Sequence, residues 1–173
     1  MNFNLTNSIE ILQRTPDTLI SMLQDISPEW TTGNEGTKTW NVYDIVGHLI
    51  HGEKTDWMAR TELILSDNVN KTFESFDRFA QFEESKGKTL NQLLNEFKML
   101  REKNIEQLLS KKLTDKQMEE KGVHSVFGDV TLSQHLSTWV VHDLNHIAQI
   151  SRVMAKQYKF NVGHWVDYLK ILQ

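Results

Sequence analysis

Two histidines stand four residues apart in HDLNH, His142 and His146, inside the long amphipathic stretch TLSQHLSTWVVHDLNHIAQISRVMAK. On a helix that spacing is one turn, so both imidazoles can reach a single ion. Plotted at about 100° per residue, the apolar arc of this stretch centres on Leu132, Leu136, Trp139, Ile147, Ile150 and Met154. His135, His142 and His146 run along one edge of that arc, with Trp139 among them, where a helix leaves the core for a cleft. A second stretch, WNVYDIVGHLIHGEKTDW, has its arc on Ile45, Leu49, Gly52 and Leu63 and sets His48 beside it, near Gly52 and Ala59. His51 falls about 60° further toward solvent. Gly52 costs a helix interior roughly 0.5–1 kcal/mol against alanine, and a small residue there suits a need for room beside His48.

If the two helices are neighbours, His48, His142 and His146 make a two-plus-one set of neutral imidazoles. Such a set suits zinc or nickel, with manganese a further candidate, and leaves positions open for water or substrate. The chain has no cysteine to close a structural zinc site, so the set leans toward catalysis, although His51 or a carboxylate could close it. The competing reading is packing. A histidine beside an apolar arc is more often a hydrogen-bonded core residue, and HxxxH pairs arise by chance; His124, His135 and His164 are read that way. HDLNH matches the HExxH of zinc proteases poorly, because Asp143 stands where the general-base glutamate belongs. Asp143 could instead orient a ligand imidazole by hydrogen bonding. Glu53 and Asp56 could do the same, and otherwise are ordinary helix charges.

The elements that must position these residues are helical. Only two prolines occur, and four long segments carry helix-period patterning. The first runs from Leu5 to Ile26, with Pro16 inside it as a kink or a break. SPEWTTGNEGTKTW reads as a loop. A second helix, capped by Asn41 with Asp44 three residues on, runs to about Leu65. A short helix around Phe76 to Glu84 precedes the third, which Thr89 caps and whose stripe is Leu90, Leu93, Leu94, Phe97, Leu100, Ile105, Leu108 and Leu109. A loop from about Leu113 to Val130 follows. Thr131, with Gln134, caps the fourth helix, which runs to about Tyr158, and VGHWVDYLKILQ closes the chain as a short helix. VHSVFGDVTL is strand-like but has no evident partner strand. The expectation is one all-α domain over residues 1–173, a four-helix bundle.

Composition narrows the function classes. The 173 residues are 39% hydrophobic and 24% charged, with a formal net charge of −4 and no basic block, which argues against nucleic-acid binding. No apolar window approaches a membrane span, and MNFNLTNSIEILQRT lacks the basic start and apolar run of a signal peptide. Zero cysteines fit a reducing cytoplasm.

W-N-V-Y-D-I-V-G-H-L-I-H-G-E early in the chain, H-D-L-N-H-I-A-Q-I late in it and the closing V-G-H-W-V-D-Y-L together resemble the DinB-like (DinB/YfiT-like) superfamily of metalloenzymes. The resemblance covers nearly the whole chain. It implies an up-down-down-up four-helix bundle, a divalent metal on His48, His142 and His146, and a homodimer. It further implies a thiol-dependent S-transferase using a low-molecular-weight thiol such as bacillithiol. The acidic overall charge does not help hold an anionic thiol, but Arg152, one and a half turns beyond His146, could contribute locally. Two alternatives stand beside the transferase: metal-assisted hydrolysis, and a non-catalytic bundle that binds a small molecule or serves a stress response.

Overall fold

The computed structural model describes residues 2–173. Helix α1 (Leu5–Leu23) starts where the Asn4 side chain accepts from the Asn7 N–H. After α2 (Glu29–Thr32), the reciprocal Asn41/Asp44 capping box opens α3 (Val42–Thr55), and α4 (Trp57–Leu65) follows. Next come α5 (Ala80–Glu84) and α6 (Leu90–Ser110), the latter opened by a Thr89/Gln92 box. A third box, Thr114/Gln117, starts α7 (Asp115–Met118), and a fourth, Thr131/Gln134, starts α8 (Leu132–Lys156). Each such cap satisfies donors that the first turn leaves unbonded, worth about 1 kcal/mol.

Side-chain contacts fix the helix directions. Lys98 meets Asp17 and Asn91 meets Asp25, so α1 and α6 run antiparallel. Tyr43 donates to the Lys88 carbonyl near the start of α6 while Glu53 meets Arg101 further along, so α3 and α6 run parallel. His48 meets His142 and Trp57 meets His135, so α3–α4 and α8 run antiparallel. The bundle is therefore up-down-down-up, as expected.

The core has two apolar halves. At one end Ile9, Leu12, Trp57, Ile64, Ile105, Leu108, Leu136 and Trp139 pack together. At the other are Leu19, Leu23, Ile45, Leu49, Leu94, Phe97, Ile150 and Val153. Burying such side chains contributes roughly 1.5–3 kcal/mol each. Between the halves lies a polar belt, in which α3 supplies Glu53, α6 supplies Arg101 and Asn104, and α8 supplies Asp143, all buried.

Helices α2 and α7 fall in stretches that the sequence reads as loops, and four further features differ from the sequence expectation. The long second helix is interrupted at Asp56 (φ −112°, ψ −70°), which separates α3 from α4. Helix α1 continues through Pro16 and ends at Leu23. The C-terminal tail forms two 3-10 turns, Gly163–Asp167 and Lys170–Leu172. Most informative is a hairpin of β1 (Lys121–His124) and β2 (Gly128–Thr131). The strand-like VHSVFGDVTL does have a partner, because it reverses on itself at Ser125–Phe127 with Gly128 at φ 72°. β1 also exchanges backbone hydrogen bonds with Lys71 and Phe73. A Cβ on Gly122 would lie 2.2 Å from the Phe73 ring, so only glycine lets the strand sit there.

Candidate metal centre

Helices α3 and α8 bring three imidazoles to one point. His48 Nε2 lies 3.0 Å from His142 Nε2, which lies 3.1 Å from His146 Nε2, and one ligand atom from each falls within 4.8 Å of the others. Nitrogens held about 2.0–2.1 Å from a tetrahedral zinc ion are about 3.3 Å apart, so the observed spacing suits one divalent ion. Tautomer chemistry agrees. His146 Nδ1 contacts the Gln149 side-chain oxygen at 2.8 Å; that oxygen can only accept, so Nδ1 carries the proton and Nε2 offers a lone pair. His142 Nε2 faces two neighbours, and one N–H can align with only one of them. A cation at the centre removes that conflict. Protons do not supply it: burial, then the His146 charge, pushes His48 down to about 4. Burial and both neighbouring histidines push His142 to about 2, and burial lowers His146.

The second tier of the site departs from expectation. Gly52 does not make room for His48; its missing Cβ would lie 3.2 Å from Trp57 Nε1. That indole stacks on Trp139 and meets the His142 ring edge-on at 5.0 Å, so the glycine seats the ring that backs His142. His51 is buried, not turned toward solvent, because α5 covers its face of α3 and Glu84 bonds its Nδ1 at 2.9 Å. Asp143 does not orient an imidazole by hydrogen bonding, since both its oxygens face Arg101 at 2.5 and 2.9 Å. Glu53 is no ordinary helix charge. It accepts from Arg101, Asn104 and the Trp139 indole N–H. Burial raises its pKa, against the opposing pull of Arg101. Asp56 pairs with Arg60 at 2.6 Å, and burial pushes it up to about 6. Arg152 is held by both oxygens of Glu35, whose carboxyl falls to about 2 because the guanidinium bonds it.

His135 donates from Nε2 to the Trp57 carbonyl at 2.9 Å. His124 Nδ1 accepts the Val126 N–H at the hairpin tip, and His164 lies exposed in the tail. His135 and His124 have the structural roles expected of them, whereas His164 is exposed rather than packed. Arg101 is the residue that sequence reasoning missed. It is 1% exposed, and its five N–H groups bond Glu53, Asp143 and the Leu12 carbonyl. The signal was available: Arg101 and Asn104 occupy stripe positions between Phe97 and Ile105.

Fold and site together define a helical bundle whose second and fourth long segments present a buried imidazole cluster. The chain belongs to the DinB superfamily, whose family model matches residues 11–150. Among solved structures it is similar to YfiT from Bacillus subtilis, described as a probable metal-dependent hydrolase with an unusual four-helix bundle topology. That match has 22% identity and a TM-score of 0.74 over 88% of this chain and 86% of the other, a likeness of fold. No curated protein matches the chain. Among the described residues no helix is long and apolar enough to cross a membrane.

Proposed function

We propose that the chain is a divalent-metal-dependent enzyme with His48, His142 and His146 as ligands, and that it transfers the sulfur of a small thiol to an electrophilic carbon. The observation that carries the metal is the convergence of three Nε2 atoms at 3.0 and 3.1 Å, beside a cavity of about 630 Å³ that all three histidines line. When bound, a divalent ion would supply the charge that acidifies a thiol or a water held beside it. Zinc and nickel suit three imidazoles best, with manganese third.

The surrounding carboxylates favour the thiol: Glu74, which lines the same cavity, is exposed and makes no bond to the cluster, and the buried ones are engaged elsewhere. Asp143 and Glu53 are bonded to Arg101, Asp56 to Arg60 and Glu84 to His51. No carboxylate among the described residues bonds the cluster to act as a base toward water. A thiol with an ordinary pKa near 8.5 needs only a modest shift to ionise at neutral pH. With no cysteine in the chain, the sulfur must arrive on a cosubstrate such as bacillithiol. The second reading is hydrolysis, favoured by the description of YfiT.

Elemental analysis of tag-free protein purified without chelators tests the first step. Near-stoichiometric metal in the wild type, lost in His142→Ala/His146→Ala, is expected; no metal in either after reloading with zinc, nickel or manganese overturns it. Zinc-loaded protein is then given bacillithiol or glutathione with an aryl chloride. The C–S bond forms, chloride leaves and the thiol proton goes to solvent. Ester cleavage without thiol, and no conjugation above background, would select hydrolysis.

A further inference from the structure

Two chambers open from the imidazole cluster. The first, of about 630 Å³, is walled partly by Phe73, Phe76 and Phe127. The second, of about 890 Å³, reaches the cluster at His146. Arg78 lines both, as do Trp40 and His146, so it stands where the chambers join.

The charges around this junction are unevenly satisfied. Glu35 holds Arg152 and Lys156. Asp56 holds Arg60, and Asp44 is bonded to the Asn41 N–H in its capping box. Glu74, on the first chamber only, carries a carboxylate without a cation. Arg78 and Lys38 are different: among the described residues neither forms a hydrogen bond or an ion pair. Both line the second chamber, where each carboxylate is already engaged. A chain of formal charge −4 thus presents two free cations beside its imidazole cluster. An unneutralised guanidinium in a concave wall attracts oxyanions and binds them through paired N–H donors.

We propose that the substrate or cosubstrate is a small organic oxyanion, a carboxylate or a phosphate ester, whose charged group is held by Arg78 and Lys38 while its reactive end faces His146. The proposal rests on the three histidines being the reactive centre, but its anchor is independent of the metal. The rim placement of Arg78, exposed and outside the packed core, makes its substitution compatible with folding.

Calorimetric titration with 3-phenylpropionate, phenyl phosphate and neutral 3-phenylpropionamide tests it, on metal-free and zinc-loaded protein. The wild type is expected to bind at least one anionic probe saturably in both forms and to leave the amide unbound. Arg78→Gln should weaken the anion by about tenfold or more, Arg78→Lys by less, and Lys38→Gln by a smaller factor. The ratio of carboxylate to phosphate affinity identifies the anion. Equal binding of amide and anion, no saturable anion binding by the wild type, or unchanged affinity in Arg78→Gln would each overturn the proposal. Metal content of the wild type separates the two failures, and Arg78→Gln should keep that content. Wild-type protein that holds metal yet binds no anion sinks this proposal alone, whereas Arg78-dependent anion binding by wild-type protein that takes up no metal sinks only the metal reading.

Discussion

Pro16 on α1 and Arg101 on α6 are joined through one carbonyl oxygen. A proline has no N–H to give to the carbonyl four residues earlier, which here is that of Leu12. Arg101 supplies the missing donor from another helix, its Nη1 lying 2.9 Å from the Leu12 oxygen. The same guanidinium bonds Glu53 on α3 and Asp143 on α8, so one side chain ties together all four long helices. The rings of Phe97 and Trp139 lie against it at 4.9 and 5.1 Å.

This linkage predicts a thermodynamic coupling. Arg101→Lys keeps a charge between the carboxylates but gives up donors, and in the wild type it leaves the Leu12 carbonyl unbonded. In a Pro16→Ala background the helix bonds that carbonyl itself. Arg101→Lys should therefore cost about 1 kcal/mol less there than in the wild type, as read from urea unfolding of the four proteins. A coupling near zero would mean that the carbonyl is satisfied some other way. Arg101→Met should cost about 3–5 kcal/mol in either background, because it strands buried charge.

Gln149 would position His146 in the proposed metal site. Its side-chain oxygen fixes the His146 proton on Nδ1 and turns Nε2 toward the other two imidazoles. Gln149→Leu should weaken zinc binding about tenfold with little change in thermal stability, while Gln149→Glu, which keeps the acceptor, should hold or raise the affinity. Competition titration against a chromogenic chelator measures both. Equal affinity in wild type and Gln149→Leu would show that His146 keeps its tautomer unaided.

The sequence made part of this legible. Helical periodicity placed His48, His142 and His146 at the edges of apolar arcs, and edges are where side chains from two helices meet. It also located the caps at Asn41, Thr89 and Thr131, since a capping box is local chemistry, but not those at Asn4 and Thr114. What it did not reveal depends on tertiary cover. His51 projects toward solvent on an isolated helix, and only the packing of α5 buries it. Arg101 and Asn104 look like polar interruptions of a stripe until Glu53 and Asp143 arrive from other helices. The hairpin escapes for a different reason: its two strands are halves of one short segment, so neither half shows a separate partner in the sequence.

His135 predicts how stability changes with acid. It is 4% exposed and donates to the Trp57 carbonyl, with Arg60 nearby. Burial lowers its pKa from the ordinary 6.5 to about 4. The unfolded chain takes up a proton below about pH 6.5 that the folded chain refuses until about pH 4, so stability is complete above that window and is lost as pH falls through it. His48 and His142 titrate in the same direction, so the contribution of His135 must be isolated as a difference. His135→Gln retains a neutral N–H donor and does not titrate. Between about pH 7 and about pH 4.5 the wild type should lose about 2 kcal/mol more than this variant, measured by urea unfolding at both pH values. At neutral pH the two should differ little, because the hydrogen bond to Trp57 survives. Parallel losses in both proteins would show that His135 accepts its proton while folded and that the Trp57 carbonyl stabilises the charged ring.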